Sequence, residues 1–256
     1  MRYTFDMQTD NTTAASNFQA SYQPLYEQIK KMLTQSLIDG EWRAGELIPS
    51  EMELASRFGV SPGTVRKAID DLVSENILVR KQGKGTYVAT HAEEGVKLRF
   101  LRLADKDGKK AFPHNRLLSC TRAKVNAHVG RKLDIKTGTA IIEIKRLLLF
   151  FERPLILDHI ILPAAPFRGL GDKQIQDHKG SMYSMYEREY GIRMIRAEEE
   201  LKAVGADLEA SKTLGVPMRS PLLQIERTAY TYGNRPMEWR LGICLTDDYH
   251  YRNELE

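Results

Sequence analysis

The sequence predicts an α+β protein in two parts, a small helical unit ending in a basic hairpin and a larger unit built on an antiparallel sheet. Three patterns lead there. Between Leu47 and Ala89, two short amphipathic helical periods are followed by two short β runs around a Gly-rich turn. Beyond Val96, long runs rich in Ile, Leu, Val and Tyr alternate with brief helical periods. A weak repeat then recurs within that second part. At 256 residues and 29.2 kDa the chain is too long for the first unit alone and suits two domains with a short tail.

The N-terminal stretch MRYTFDMQTDNTTAASNFQA is polar and has no apolar signal-peptide core, so residues 1–21 are expected to be a disordered tail. No run approaches the ~20 apolar residues of a membrane span. The expectation is a cytoplasmic protein with no membrane partner.

Residues 22–89 carry the first unit. Ser50 with Glu53 three positions on forms a capping box ahead of Leu54, Ala55 and Phe58. Gly59 suits the left-handed residue that closes this helix. Ser61 caps the next, with Pro62 at its first position, where a missing N–H costs nothing. Val65, Ile69, Leu72 and Val73 form its apolar face. Gly63, Thr64, Arg66 and Lys67 fall on the opposite face near its start, where a helix entering a major groove needs donors without bulk. After Asn76, Ile77–Lys81 and Thr86–Val88 flank Gly83-Lys84-Gly85, a hairpin whose Arg80, Lys81 and Lys84 suit a phosphate backbone. Each piece alone occurs in many small helical domains; together and in this order they make a winged helix-turn-helix, a double-stranded DNA binder.

Charge supports that orientation. Tyr22–Ser56 holds three Lys/Arg and six Asp/Glu, whereas Arg57–Ala89 holds six and three. Positive charge therefore gathers on the second helix and the hairpin. A larger surplus, fifteen bases against five acids over Lys97–Arg153, lies outside this unit and could serve an anionic ligand or flanking DNA.

Thr90–Val96 is short, polar and acidic and reads as a linker (90–96). In the second unit (97–256), strands are expected at Arg116–Val125, Ala140–Phe151, Leu155–Leu162, Ile192–Val204, Leu222–Tyr232 and Met237–Leu245. Helices fit at Ala127–Leu133, Ser181–Tyr190 and Ala206–Leu214, the last two stopped by Gly191 and Gly215. Gly233-Asn234 and Glu152-Arg153 mark hairpin turns. The repeat aligns Ile141–Arg146 with Leu222–Arg227, and Arg153-Pro154 with Arg235-Pro236 after a one-residue slip. Each half would be a short helix and a long hairpin, giving a pseudo-symmetric sheet or else two unrelated α–β–β units. Cys120 and Cys244 lie far apart in apolar strands and read as buried reduced thiols. The scattered histidines and cysteines have no metal-ligand spacing, and no cofactor is expected.

The segment Gln23–Ala89 resembles the DNA-binding domain of the GntR family of bacterial transcription regulators. The resemblance rests on Pro24-Leu25-Tyr26, Leu47-Ile48-Pro49-Ser50-Glu51, Gly59-Val60-Ser61, Thr64-Val65-Arg66 and Gly83-Lys84-Gly85-Thr86. It implies that Thr64 and Arg66 contact the operator while the wing-tip glycine approaches the minor groove. Ser50, Glu51, Ser61, Gly63, Lys67, Arg80, Lys81, Gly83 and Lys84 complete the expected DNA face. Met52 and Pro62-Gly63 depart from the common pattern, so the operator sequence does not carry over.

The second unit resembles the UTRA effector-binding domain of the HutC branch of that family, which shares its fold with chorismate lyase. Ile144-Lys145-Arg146-Leu147, Arg153-Pro154-Leu155, Ser181-Met182-Tyr183, Tyr190-Gly191-Ile192, Leu214–Pro217, Ser220–Leu223 and Arg235–Glu238 carry it. It implies a pocket at Arg146, Asp158, Ser181, Tyr183, Glu238 and Arg240. Ser181 opens a helix, where free N–H groups hold an anion. Arg146 could bind a carboxylate or phosphate bidentately. Asp158 and Glu238 could accept from hydroxyl or amine groups, or could pair with Arg146 purely structurally. Phosphosugar-binding relatives usually carry Arg at position 148, which is Leu here. Cys244 stands where a Tyr is common, Phe150–Arg153 replaces an Asp-Gly turn, and Arg99–Gly108 lacks the usual loop pattern. A small organic acid or amino-acid metabolite therefore fits better than a phosphosugar.

These readings imply a homodimeric regulator that binds a pseudo-palindromic operator and is released by a small anionic effector. Activation, or an architectural DNA binder without an effector, are the alternatives. An enzyme is not expected: the chain has no Ser/His/Asp arrangement, no paired carboxylates at a recognisable spacing and no phosphate-cradling loop, so no catalytic residue is assigned.

Overall fold

The computed structural model describes residues 23–91, 100–106, 113–178 and 180–253. The expected tail, most of the expected linker and parts of the 99–108 loop lie outside the described residues.

The first unit forms as its local chemistry dictates. Helix α1 (Leu25–Ile38) starts after Pro24. In α2 (Glu51–Phe58) the Ser50 hydroxyl accepts from the Glu53 N–H, the Glu53 carboxylate accepts from the Ser50 N–H at 2.8 Å, and Gly59 closes the helix at φ 66°. Helix α3 (Pro62–Ser74) is capped by Ser61, whose hydroxyl accepts from Thr64 N–H. Strands β1 (Leu78–Lys81) and β2 (Gly85–Val88) pair antiparallel as the wing. Ile29, Leu33 and Leu37 of α1, Leu54 of α2, and Val65, Ile69 and Leu72 of α3 close one core with Ile48, Ile77 and Val88. At ~1.5–3 kcal/mol per buried aliphatic side chain, this core outweighs the weak intrinsic stability of eight- to fourteen-residue helices.

The second unit is a six-stranded antiparallel sheet. Its strands are β4 (His114–Lys124), β5 (Ala140–Phe150), β6 (Arg153–Pro163), β7 (Arg196–Gly205), β8 (Pro221–Thr231) and β9 (Arg235–Cys244), in the order β4-β5-β6-β9-β8-β7. Helices α4 (Ala127–Lys132) and α7 (Leu208–Leu214) pack on one face through Val129, Leu133, Ala210 and Leu214. Helices α5 (Asp172–Asp177) and α6 (Met182–Tyr190) cover the other, burying Ile175, Met182, Met185 and Tyr186 against Ile142, Ile144, Ile160 and Leu162. A two-stranded ribbon, β3 (Leu103–Asp105) with β10 (Tyr249–Tyr251), lies beside the latter face.

The repeat is structural and longer than the sequence suggested. Strand, helix, strand, strand (β4-α4-β5-β6) recurs as β7-α7-β8-β9, and the halves meet where β6 pairs with β9. The slip in the second hairpin comes from its 3-10 turn Tyr232–Asn234, one residue longer than the first.

Three expectations are corrected. The turn of the first hairpin is Phe151-Glu152 rather than Glu152-Arg153: both take positive φ (49° and 61°), the pattern a right-twisted two-residue turn requires, and β6 already begins at Arg153. Residues 192–195 precede β7, which begins at Arg196: Ile192 and Met194 join the core beneath the sheet, the Ile195 N–H donates to the Tyr230 carbonyl, and the Ile195 side chain turns to the first unit. Helix α5 and the β3/β10 ribbon were not anticipated.

Candidate functional site

On the outer face of the first unit, Glu51 organises the cations. Its carboxylate accepts from Arg66 Nε at 2.7 Å and Arg80 Nη2 at 3.0 Å, while Arg80 also meets Asp70 at 2.8 Å. One acid at the start of α2 thus links the recognition helix to the wing. Exposed pairs of this kind are worth only ~0–1 kcal/mol, so phosphate oxygens can replace the acids at little cost. Ser50 and Ser61 spend their hydroxyls on helix caps, and the Thr64 hydroxyl lies 2.9 Å from that of Ser61. Gly63 is exposed at the helix start. Lys67 stacks over Tyr26 of α1 at 3.9 Å, and Lys81 over Tyr87 at 4.9 Å. At the wing tip the Lys84 N–H donates to the Lys81 carbonyl, with Gly83 at φ 69°. Tyr26 belongs to a motif that carries the resemblance, but its contact with Lys67 did not follow from it, and Asp70 lies outside every quoted motif. Lys84→Ala should weaken DNA binding uniformly across sequences and reduce the slope of log affinity against log salt by about 1, measured by fluorescence anisotropy.

The second site is a cavity between the sheet and the start of α6. Arg146, Asp158, Ser181, Tyr183 and Arg240 all line it, joined by Phe100, Asn115, Arg227, Gly242 and Cys244. Arg146 donates from Nε and Nη2 to Asp158 Oδ2 at 2.9 and 2.7 Å, directly across the β5–β6 ladder. Arg240 reaches Glu238 at 2.9 Å and Asp158 at 3.5 Å. Glu238 is fully buried behind the wall rather than on it, accepting from the hydroxyls of Tyr183 (2.9 Å) and Tyr186 (3.1 Å). Burial, and next the Glu238 charge, push both phenols well above their ordinary range, so they remain donors at physiological pH. Burial likewise pushes the Cys244 thiol up. The Ser181 hydroxyl is an N-cap, accepting from Ser184 N–H, and α6 presents Ser181, Met182 and Tyr183 to the cavity. A side chain at Gly242 would come within 3.1 Å of Asp158 Oδ1, so glycine there leaves room for the ion pair.

Arg227 was missed, although the repeat held the signal: it is the counterpart of Arg146. Its Nε donates to Glu199 at 2.7 Å and its Nη2 to the Phe100 carbonyl. Phe100 and Asn115 carried no motif.

A chain of contacts leads from this cavity to the first unit. One turn beyond Tyr183 on α6, Glu187 accepts from the Thr90 hydroxyl and from His91 N–H, and meets Arg193 at 3.5 Å. Arg193, 2% exposed, donates to the carbonyls of Ile77 (3.2 Å) and Asn76 (2.8 Å) at the end of α3. His91 stacks on Tyr183 and bonds the Met194 carbonyl through Nε2 at 2.8 Å. Ile195 and Tyr232 add apolar contact with the first unit's core.

Among the described residues no group of three or more His, Cys, Asp or Glu could hold a metal, and no helix is long and apolar enough to cross a membrane. A winged helix joined to a ligand-sized cavity defines a DNA-binding transcription regulator with an effector domain. Residues 25–88 match the gntR family of bacterial regulatory proteins, and residues 108–250 match the UTRA domain. This chain belongs to the GntR family, in the group that carries a UTRA domain. It is 32% identical to the HTH-type transcriptional regulator YurK of Bacillus subtilis, over 88% of this chain and 92% of YurK. It is 29% identical to the transcriptional repressor NagR of the same organism, over 91% and 96%. The ligand-binding domain of a candidate GntR-family regulator from Bordetella bronchiseptica superposes with a TM-score of 0.59 at 42% identity, covering 62% of this chain and 98% of that one. The family and these relatives are transcription regulators, not enzymes.

Proposed function

We propose that this protein is a repressor that binds a pseudo-palindromic operator as a homodimer and releases it when a small anionic metabolite enters the cavity. Residues 22–89 read the DNA and residues 97–256 sense the effector and dimerise. Thr64 and Arg66 contact bases, while Arg80, Lys81 and Lys84 contact backbone. Arg146, Asp158, Ser181, Tyr183 and Arg240 meet the ligand, with Glu238 supporting them. The protein works in the cytoplasm, where its DNA lies. NagR, a repressor similar over nearly its whole length, supports the sign of regulation.

The observation that carries the ligand response is helix α6. Its first turn lines the cavity, and its second contacts Arg193, which holds the end of the recognition helix. A ligand that prefers one placement of α6 thereby biases the placement of the DNA-binding unit. The test is selection of bound fragments from genomic DNA, footprinting, and light scattering of the complex. Two protected half-sites under one dimer, lost on adding a metabolite that raises the unfolding midpoint, are expected. A monomer protecting a single half-site would overturn the reading.

A further inference from the structure

The cavity's charges nearly cancel, and what is left over describes its ligand. Arg146 is neutralised by Asp158, Arg227 by Glu199 and Arg240 by Glu238, each within hydrogen-bonding distance. Three arginines and three carboxylates leave no net charge, and buried pairs so arranged are costly to pull apart. Among the described residues lining the cavity, Arg102 is the one cation with no such partner. The α6 N-terminus, with Ser181–Tyr183 on the cavity wall, adds only a partial positive charge. That supply matches a single negative charge better than a phosphate dianion. Most of the remaining wall is apolar: Phe100, Leu101, Leu103, Leu148, Ile156 and Ile225. Among the described residues, two buried polar atoms on lining residues have no hydrogen-bond partner, the acceptor Asn115 Oδ1 and the donor Arg240 Nε. Buried polar groups are nearly always satisfied, so a ligand seated here can supply the partner each one lacks.

Resting on the reading of this cavity as the effector site, we propose that the effector is an amphipathic monocarboxylate. Its carboxylate pairs with Arg102 beside the α6 N-terminus and its apolar or aromatic body fills the wall. A hydroxyl or amine donates to Asn115, and a further oxygen accepts from Arg240 Nε. Sugar phosphates, with two charges and little apolar surface, are excluded by the same features.

The full-length protein should be titrated calorimetrically with four probes: 4-hydroxyphenylacetate, phenylacetate, 4-hydroxyphenylacetamide and glucosamine 6-phosphate. The hydroxy acid should bind at least tenfold more tightly than its neutral amide and several-fold more tightly than phenylacetate, with no response to the sugar phosphate. Arg102→Gln should erase the difference between acid and amide while leaving the unliganded unfolding midpoint unchanged. Asn115→Leu should erase the difference between the hydroxylated and plain acids. Equal binding of acid and amide, tighter binding of the sugar phosphate, or no response to either acid overturns the proposal. Release of selected genomic DNA is followed in parallel. If the sugar phosphate releases DNA and the acids do not, the ligand class falls while the effector-released repressor stands. If a probe binds the cavity and DNA affinity stays unchanged, the repressor reading falls instead.

Discussion

Replacing Arg193 by alanine should split thermal unfolding into two transitions and free the DNA-binding unit from the effector. The native guanidinium is almost wholly buried and donates to two backbone carbonyls of the first unit while meeting Glu187 of the second. Removing it leaves those carbonyls and the Glu187 carboxylate short of donors in a protected place, a loss of roughly 3–5 kcal/mol for a broken buried charge contact. Apolar contact at Ile195 and Tyr232, the Glu187 bonds to Thr90 and His91, and the His91 contacts with Tyr183 and the Met194 carbonyl would remain between the units. Calorimetry reads the split. DNA affinity should persist, because no residue of the DNA face is touched, but ligand should no longer reduce it. A single transition at the wild-type midpoint would show that the joint carries no coupling.

Arg146→Ala should abolish the ligand response and cost about 3–5 kcal/mol of stability, measured by urea unfolding. The side chains of Arg146 and Asp158 are 7% and 4% exposed, and alanine would leave Asp158 facing only the more distant Arg240. The double variant Arg146→Met, Asp158→Leu separates the two effects. It removes both charges together, so stability should return to within about 1 kcal/mol of wild type while ligand response stays lost. Recovery of both would show that the pair is only structural.

What could be read from the chain follows the range of the interactions involved. The Ser50–Glu53 box, the Ser61 cap and the Gly59 stop each lie within a few residues, so the winged helix was legible almost residue by residue. The long hairpins were legible because strands of ten or eleven residues carry repeated Ile, Leu and other apolar side chains, most densely in β5 and β6. Helix α5 lacks any side-chain cap, and β3 and β10 are three residues each, paired across most of the second unit. Nothing local announces either. In the cavity, Arg146, Asp158, Ser181 and Tyr183 were reachable through motif resemblance. Phe100, Asn115 and the Arg193 joint arise only when distant segments pack, and Arg227 was visible solely as an echo of Arg146.

That echo has a directional consequence. In the first half of the sheet Arg146 faces Asp158; at the equivalent places in the second, Arg227 faces Arg240. Were the halves true copies, a guest could enter either way round. Exchanging one acid for a base gives the chamber a head and a tail, so the two ends of a guest meet different charges. Duplication builds the room, and a single reversed sign tells the visitor which way to face.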